Sequence, residues 1–153
     1  MEHTIKTTKQ DEMIDITHII QDDVTNSSIE NGVVIVFVLH TTAGITINEN
    51  ADPDVVYDIL NTLRKVFPKD LSHRHLEGNS HAHIKASVMG SSCTIIIEKG
   101  KLKFSWRNNS LGIQGRSPHG KFQRLFFFQS DKQLIQVRFL YVPEYYYAMQ
   151  FLT

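Results

Sequence analysis

The sequence predicts a single α+β domain, and three observations support this fold class. A chain of 153 residues fits one domain, and a domain of this size removes roughly two-thirds of its unfolded surface from water. Residues 33 to 39 form a continuous apolar run of β-branched character, which is typical of a strand buried on both faces. Residues 53 to 66 repeat apolar side chains at helical spacing. Strands and helices therefore occur in one chain, and no linker divides it.

Two helices are predicted from apolar periodicity and capping signals. The first follows Asp15 or Thr17 as a cap. The second begins at Asp52, a capping carboxylate, with Pro53 in the first helical position, and it ends before Pro68. The apolar positions that define them are Ile16, Ile19, Ile20 and Val24 in the first helix, and Val55, Val56, Ile59, Leu60, Leu63 and Val66 in the second.

Short strands are predicted elsewhere from β-branched or alternating composition. Residues 69 to 81 are polar and rich in histidine, which indicates a loop. Lys85 falls within a predicted strand, where we expect an exposed side chain; a side chain that faces a phosphate is the alternative. Cys93, the single cysteine, cannot pair within the chain and is expected to act as a small buried hydrophobe. The predicted strands cover residues 4 to 8, 45 to 48, 84 to 88, 93 to 97, 125 to 128 and 134 to 142.

Composition argues against two function classes. The chain has 16 basic and 16 acidic side chains, so no net charge attracts it to nucleic acid. No window approaches the ~18 apolar residues that a membrane helix needs. We therefore expect a soluble cytoplasmic protein with neither a membrane nor a nucleic acid as partner.

Polar residues lie at the ends of predicted strands. The backbone there is rigid and can hold the residues of a site in fixed positions. His40 and Thr41 follow the apolar run, and Asn48 and Glu49 follow the next strand. Four of the eight histidines then lie within eleven residues, at His73, His75, His81 and His83. Three imidazoles with an open position suit catalytic zinc or a similar divalent ion. Surface loops also accumulate histidine, so spacing alone leaves a metal site and a solvated loop as alternatives.

Two longer segments decide between these alternatives. Residues 40 to 54 read His-Thr-Thr-Ala-Gly-Ile-Thr-Ile-Asn-Glu-Asn-Ala-Asp-Pro-Asp, and residues 75 to 87 read His-Leu-Glu-Gly-Asn-Ser-His-Ala-His-Ile-Lys-Ala-Ser. They resemble the two signature blocks of the YjbQ-like family, also called the secondary thiamine-phosphate synthase family. The resemblance implies a compact antiparallel β-sandwich with two helices, assembled as a homotrimer.

The resemblance also implies a site and an activity. It makes His40, His75 and His83 the metal ligands, with zinc or a similar ion bound, or magnesium where pyrophosphate takes part. It assigns catalytic roles to Glu49 and Glu77, and substrate binding to Thr41, Asn48, Asn79 and Ser80. The implied activity joins a pyrimidine diphosphate to a thiazole phosphate and releases pyrophosphate. Position 81 is usually acidic in the family, and we expect His81 to lie in solvent; a role as an extra metal ligand is the alternative.

Other interpretations remain open. Glu49 also suits a carboxylate favoured by the dipole of the helix that begins at Pro53. A non-catalytic trimer that binds a phosphorylated metabolite would use the same pocket residues. Nucleic-acid binding by the basic residues 101 to 138 rests on charge alone.

The resemblance stops near residue 103, where composition also changes. Residues 1 to 100 hold 8 basic and 14 acidic side chains, whereas residues 101 to 153 hold 8 and 2. A change of reading frame in the gene near codon 104 explains both observations. When residues 104 to 115 are translated back into one possible DNA sequence, and that sequence is read one base later, family-like residues result. The alternative is a native divergent tail in which Phe126, Phe127 and Phe128 complete a core strand. The sequence favours the reading-frame change and an irregular segment over residues 105 to 123.

Overall fold

The computed structural model describes residues 1–104, 123–129 and 134–143. These residues form three helices and eight strands, and every strand pair is antiparallel. The predicted α+β class is therefore confirmed. In chain order the elements are β1 (Glu2–Lys6), β2 (Glu12–Asp15), α1 (Thr17–Ser27), β3 (Asn31–Val38), β4 (Ala43–Glu49), α2 (Pro53–Val66), α3 (Ser80–Met89), β5 (Ser92–Glu98), β6 (Lys101–Lys103), β7 (Gln123–Gln129) and β8 (Leu134–Pro143).

The strands form two sheets. The larger has the order β1-β8-β3-β5-β6, and the smaller has the order β2-β7-β4. Alternate side chains of both sheets join α1 in one hydrophobic cluster, as expected when each sheet turns one face to a shared core. Its members include Val34, Val36, Ile95, Ile97, Ile135, Val137 and Phe139 of the larger sheet, Ile45, Leu125 and Phe127 of the smaller one, and Ile20 and Val24 of α1.

Strand β3 is buried on one face only, which corrects the prediction of burial on both faces. Val34, Val36 and Val38 are buried, whereas Phe37 on the outer face is 42% exposed. Ile96 of β5 and Leu140 of β8 are likewise 47% and 58% exposed. A continuous apolar run does not reveal whether its second face is covered, because that depends on elements distant in the chain.

Helix α2 confirms the predicted boundaries. The Asp52 side chain accepts a hydrogen bond from the Asp54 backbone N–H at 2.9 Å, and Pro53 occupies the first turn. This bond satisfies one of the N–H groups that a helix start leaves without an intrahelical partner. In the described part of the chain, no helix is long and apolar enough to cross a membrane.

Helix α3 corrects two predictions at once. The predicted loop over 69 to 81 ends at Ser80, and the predicted strand over 84 to 88 is helical, so the chain has a third helix. The buried face of α3 consists of His81, Ala82, Lys85 and Ala86. Two of these four side chains are polar, which removes the apolar period by which a helix is recognised in sequence.

Strands β7 and β8 place residues of the C-terminal third inside the fold. β7 lies between β2 and β4, and β8 lies between β1 and β3. Phe127 and Phe128 are fully buried, which the native-tail alternative expects and the reading-frame alternative allows. The two alternatives differ in whether the segment before β7 is irregular. Residues 105 to 122 of that segment lie outside the described residues.

Cys93 is half-buried in β5, with its Sγ 3.7 Å from the carbonyl oxygen of Ile45. Burial raises the pKa of the thiol, because the thiolate would lose solvation. The protonated form therefore dominates at neutral pH, as suits a packing role.

The position of β7 leads to a stability prediction. We expect Phe127→Ala to lower the free energy of unfolding by about 3–5 kcal/mol, since it removes a fully buried ring from the shared core. Urea denaturation of the purified chain measures this quantity. The matched control is Leu134→Ala in β8, because Leu134 is 67% exposed and its loss should change stability by less than about 0.5 kcal/mol. Equal stability of the two variants would show that β7 does not pack against this core in solution.

Candidate functional site

A turn and the start of α3 together position the histidine-rich segment. The backbone N–H of Gly78 donates to the carbonyl of His75 at 3.0 Å, and Gly78 has a φ of 67°. Glycine takes this left-handed conformation without strain. The carbonyl of Asn79 then accepts from the N–H of Ala82 at 2.8 Å, which begins the helix. The chain between His75 and His83 thus folds back on itself.

This fold-back brings two histidines and a carboxylate together. The ligand atoms of His75, Glu77 and His83 all lie within 4.8 Å of one another. The Nε2 of His75 is 3.6 Å from Glu77 Oε2, and the two imidazole rings meet edge to face at 5.2 Å between centroids. Asn79 Nδ2 donates to Glu77 Oε2 at 3.1 Å and holds that carboxylate. We call these three residues the histidine group.

The histidine group fits a divalent transition metal. Tetrahedral zinc with nitrogen and oxygen ligands near 2.0–2.1 Å separates neighbouring ligand atoms by about 3.3 Å. The distance of 3.6 Å between the ligand atoms of His75 and Glu77 is close to that value. The ligand atom of His83 lies within 4.8 Å of both, so only a small movement of its side chain is needed to reach the same ion. His75 and Glu77 are exposed, and His83 is half-buried. Three ligands at such a surface leave a coordination position open, which is the pattern of catalytic zinc sites.

His40 is held differently. Its Nδ1 accepts from the backbone N–H of Thr42 at 3.2 Å and lies 2.9 Å from the Thr42 hydroxyl. A neutral imidazole that accepts at Nδ1 carries its proton on Nε2. In this tautomer Nε2 is a hydrogen-bond donor, whereas metal-binding histidines usually donate through the ring nitrogen that does not bind the metal. His40 shares a groove lining with His83, whereas the three ligand atoms that lie within 4.8 Å of one another belong to His75, Glu77 and His83.

His40 and His83 line one open groove of about 860 Å³, which is large enough for a small molecule. The lining includes both polar side chains, among them the two histidines, and apolar ones such as Phe37 and Ala86. Such a groove suits a ligand with a ring and an anionic group. The residues that line it are Phe37, Val38, Leu39, His40, Thr41, Ala43, His83, Ala86, Ser87, Gly90 and Ser91.

The other predicted site residues lie in two places. Thr41 lines the groove, while Asn79 and Ser80 lie at the start of α3 near the histidine group. Asn48 and Glu49 lie at the far end of β4, and Asn48 Oδ1 accepts from the Glu49 backbone N–H at 2.8 Å. Six steps along a strand span about 20 Å, so Glu49 is distant from the groove-lining Ala43 within one chain.

His81 and Lys85 were expected at the surface, and both are buried instead. His81 is 5% exposed and Lys85 is 2% exposed. In a strand, residues 81 and 83 would share a face, whereas in a helix they lie about 200° apart. His83 therefore faces the groove while His81 and Lys85 face the interior. Their spacing of four would have signalled one helical face, had the helix itself been recognised in the sequence.

The comparison with protein families agrees with the two motif blocks. The model of the family described as UPF0047 protein YjbQ-like matches residues 1–109. This chain belongs to the YjbQ/UPF0047 family. The match ends close to residue 103, where the motif resemblance was predicted to end.

Other members of the YjbQ/UPF0047 family align with most of this chain. A UPF0047 protein of Methanocaldococcus jannaschii is 52% identical over 99 residues, 65% of this chain and 72% of that protein. A UPF0047 protein of Archaeoglobus fulgidus is 34% identical over 133 residues, 86% of this chain and 90% of that protein. The crystal structure of an uncharacterised conserved YjbQ/UPF0047 protein from Clostridium acetobutylicum has a TM-score of 0.80 and 46% identity, and it covers 93% of this chain and 99% of that one.

The end of α3 packs so closely on β4 that Gly44 leads to a prediction. A Cβ at Gly44 would lie 2.7 Å from the Met89 Cβ and 2.8 Å from the Gly90 carbonyl oxygen. We expect Gly44→Ala to lower the free energy of unfolding by about 1–3 kcal/mol, because helix and strand must move apart. Urea denaturation measures the loss. Ser91→Ala, at an exposed groove position, is the control with an expected change below about 0.5 kcal/mol. A neutral Gly44→Ala would show that α3 does not approach β4 this closely.

Proposed function

We propose that this YjbQ/UPF0047 protein binds a divalent metal ion at His75, Glu77 and His83 and uses it to act on a phosphorylated small molecule. The observation that carries the proposal is the convergence of these three ligand atoms within 4.8 Å beside an open groove. Within that class we favour a thiamine-phosphate synthase-like reaction, in which a pyrimidine diphosphate joins a thiazole phosphate and pyrophosphate leaves. The motif blocks at residues 40 to 54 and 75 to 87 support this choice.

The residues around the groove suit a substrate with rings and phosphates. The apolar side chains of Phe37 and Ala86, which line the groove, would pack against a heterocycle. The Nε2–H of His40 and the hydroxyls of Thr41 and Ser87 would donate to phosphate oxygens. A bound divalent ion, zinc or magnesium, would offset the charge of the departing pyrophosphate.

Proton transfer is proposed for the two glutamates. Glu77 stands beside His75 and is held by Asn79, so it would act either as a ligand or as a base at the metal. Glu49 lies at the distant end of β4, next to Asn48. For Glu49 and Asn48 to serve the same reaction, they would have to meet a groove supplied by another subunit. Assembly as a homotrimer, which we also propose along with a cytoplasmic location, would provide that arrangement.

The metal proposal predicts a ranking of histidine variants. We expect His83→Ala to weaken zinc binding at least about hundredfold, since it removes one of three ligands. His81→Ala is the matched control, because it changes the same residue type on the same helix but on the buried side. Its zinc affinity should stay within about twofold of the parent. Competition with a chromophoric chelator measures all affinities.

His40 provides a second comparison in the same titration. Because its Nδ1 accepts from the Thr42 N–H, His40→Ala should cost about tenfold or less in zinc affinity. A loss as large as that of His83→Ala would make His40, rather than Glu77, the third ligand. Unchanged zinc binding in His75→Ala and His83→Ala alike would contradict the metal site altogether.

The reaction proposal predicts turnover. The metal-loaded chain should convert pyrimidine diphosphate and thiazole phosphate into thiamine phosphate and pyrophosphate, and chelator treatment should abolish the activity. Glu77→Gln should lower kcat at least about hundredfold, in the range of a lost general base. Coupled pyrophosphate detection provides the assay. Activity that survives both metal removal and Glu77→Gln would contradict this mechanism.

The second candidate is a non-catalytic trimer that binds a phosphorylated metabolite in the same groove. The exposed outer face of the larger sheet favours assembly, because Phe37, Ile96 and Leu140 are apolar and 42–58% exposed. Binding of both phosphorylated compounds without turnover would select this candidate over the enzyme. Sedimentation equilibrium tests the assembly, since a trimer has three times the 17.6 kDa mass of one chain.

A further inference from the structure

A second cavity lies on the side of α3 opposite the histidine group. Its volume is about 420 Å³, and three separate parts of the chain line it. They are the connection between β1 and β2, the end of α2 with the residues after it, and the buried face of α3. The lining residues are Lys9, Gln10, Asp11, Arg64, Pro68, Lys69, His81 and Lys85. We call this space the cation cavity.

Positive charge dominates the cation cavity. Lys9, Arg64, Lys69 and Lys85 face a single lining carboxylate, that of Asp11. Residues 1 to 100 as a whole are acidic, so this local excess opposes the average of the surrounding chain. A cleft lined by one sign of charge, with walls of low dielectric constant, concentrates counter-ions.

Asp11 bonds to two of the four cations. Its Oδ1 accepts from Lys85 Nζ at 2.9 Å, and its Oδ2 accepts from Arg64 Nε at 2.9 Å. Its backbone carbonyl accepts from Arg64 Nη2 at 3.3 Å. One negative charge thus serves two positive ones. Among residues 1–104, 123–129 and 134–143, no carboxylate lies within ion-pair distance of Lys9 or Lys69.

The neighbouring carboxylate of Glu12 lies outside the lining of the cavity and is held by the turn before β2. It accepts from the backbone N–H groups of Thr8 and Lys9 at 2.8 and 3.2 Å and is not part of the lining. Burial alone would raise the pKa of Glu12, but these bonds, together with the Thr8 hydroxyl and the charge of Lys9, outweigh burial and lower that pKa. Glu12 therefore stabilises the turn before β2.

Lys85 is a buried cation at the cavity wall. It is 2% exposed, and its ammonium group has three donors, of which one is used by Asp11. A buried ion pair with a purely structural role needs neither an adjoining cavity nor two further lysines. The ammonium group of Lys85 and the two further lysines thus adjoin one open space.

We propose that the cation cavity binds a small phosphate-bearing anion at a site separate from the histidine group. A phosphate group has several acceptor oxygens and up to two charges, which matches lysines and an arginine converging from three directions. A volume near 420 Å³ suits a phosphate ester or a diphosphate. The inference goes beyond the function proposed above, because α3 lies between the two sites and neither needs the other.

The test uses inorganic pyrophosphate as probe, with calorimetry on the full chain in EDTA-containing buffer at low ionic strength. The double variant Lys9→Gln with Lys69→Gln removes the two lining lysines that take no part in the Asp11 ion pairs, and it leaves those pairs intact. We expect its Kd to rise at least about fivefold, because two charge-assisted contacts are lost. The matched control is Lys65→Gln with Lys101→Gln, which removes equal charge at exposed positions outside the lining. Its Kd should stay within about twofold of the parent.

A third protein separates the two sites. His75→Ala with His83→Ala disrupts the histidine group and should leave pyrophosphate binding in EDTA unchanged. If this variant loses binding while the Lys9 and Lys69 variant keeps it, the anion sits in the histidine groove and the cation-cavity proposal is overturned. Absence of pyrophosphate binding to the parent chain, or equal weakening in both lysine double variants, overturns it as well. Failure of the zinc titration above would leave the outcome of this experiment unaffected.

Discussion

The buried ion pair between Lys85 and Asp11 is the contact on which the arrangement of the site depends. Both side chains are almost fully excluded from solvent, and their charged atoms are 2.9 Å apart. Desolvating two charges is costly, so such a pair adds little net stability, but losing one partner costs about 3–5 kcal/mol because the other is left buried and uncompensated. The pair therefore fixes which face of α3 turns inward. Through Arg64, the same carboxylate also anchors α2.

Once that face is fixed, the opposite side of α3 is fixed too. His83 must face the groove, because it lies two residues, and thus about half a helical turn, from both His81 and Lys85. The close contact of Gly44 with Met89 and Gly90 sets the other end of the helix against β4. The groove that His40 and His83 line lies where α3 meets the end of β3 and the start of β4. A single helix thus separates a histidine-lined groove from a cation-lined cavity.

The C-terminal strands matter to this arrangement because of where they pair. β8 lies between β1 and β3, and β7 lies between β2 and β4, so each joins strands from earlier in the chain. Phe127 and Phe139 fill the core from the two sheets. β7 also supports β4, the strand against which α3 packs. β8 alternates exposed and buried side chains over most of its length, whereas β7 buries the consecutive residues Phe127 and Phe128.

The sequence by itself determined the features that depend on neighbouring residues. The cap at Asp52 and the apolar period defined α2, the β-branched run defined β3, and the two motif blocks indicated the YjbQ/UPF0047 family. These signals are local or directly encoded in residue order, so no knowledge of the tertiary fold was needed to detect them.

Only the tertiary structure decided features that depend on contacts distant in the chain. The helical state of α3 was hidden because its buried face includes His81 and Lys85, and Lys85 is stabilised there by Asp11, 74 residues away. The exposed outer face of β3 and the inclusion of Glu77 with His75 and His83 likewise depended on packing. A charged side chain is read as exposed until its partner is known, and the partner is revealed only when the chain has folded.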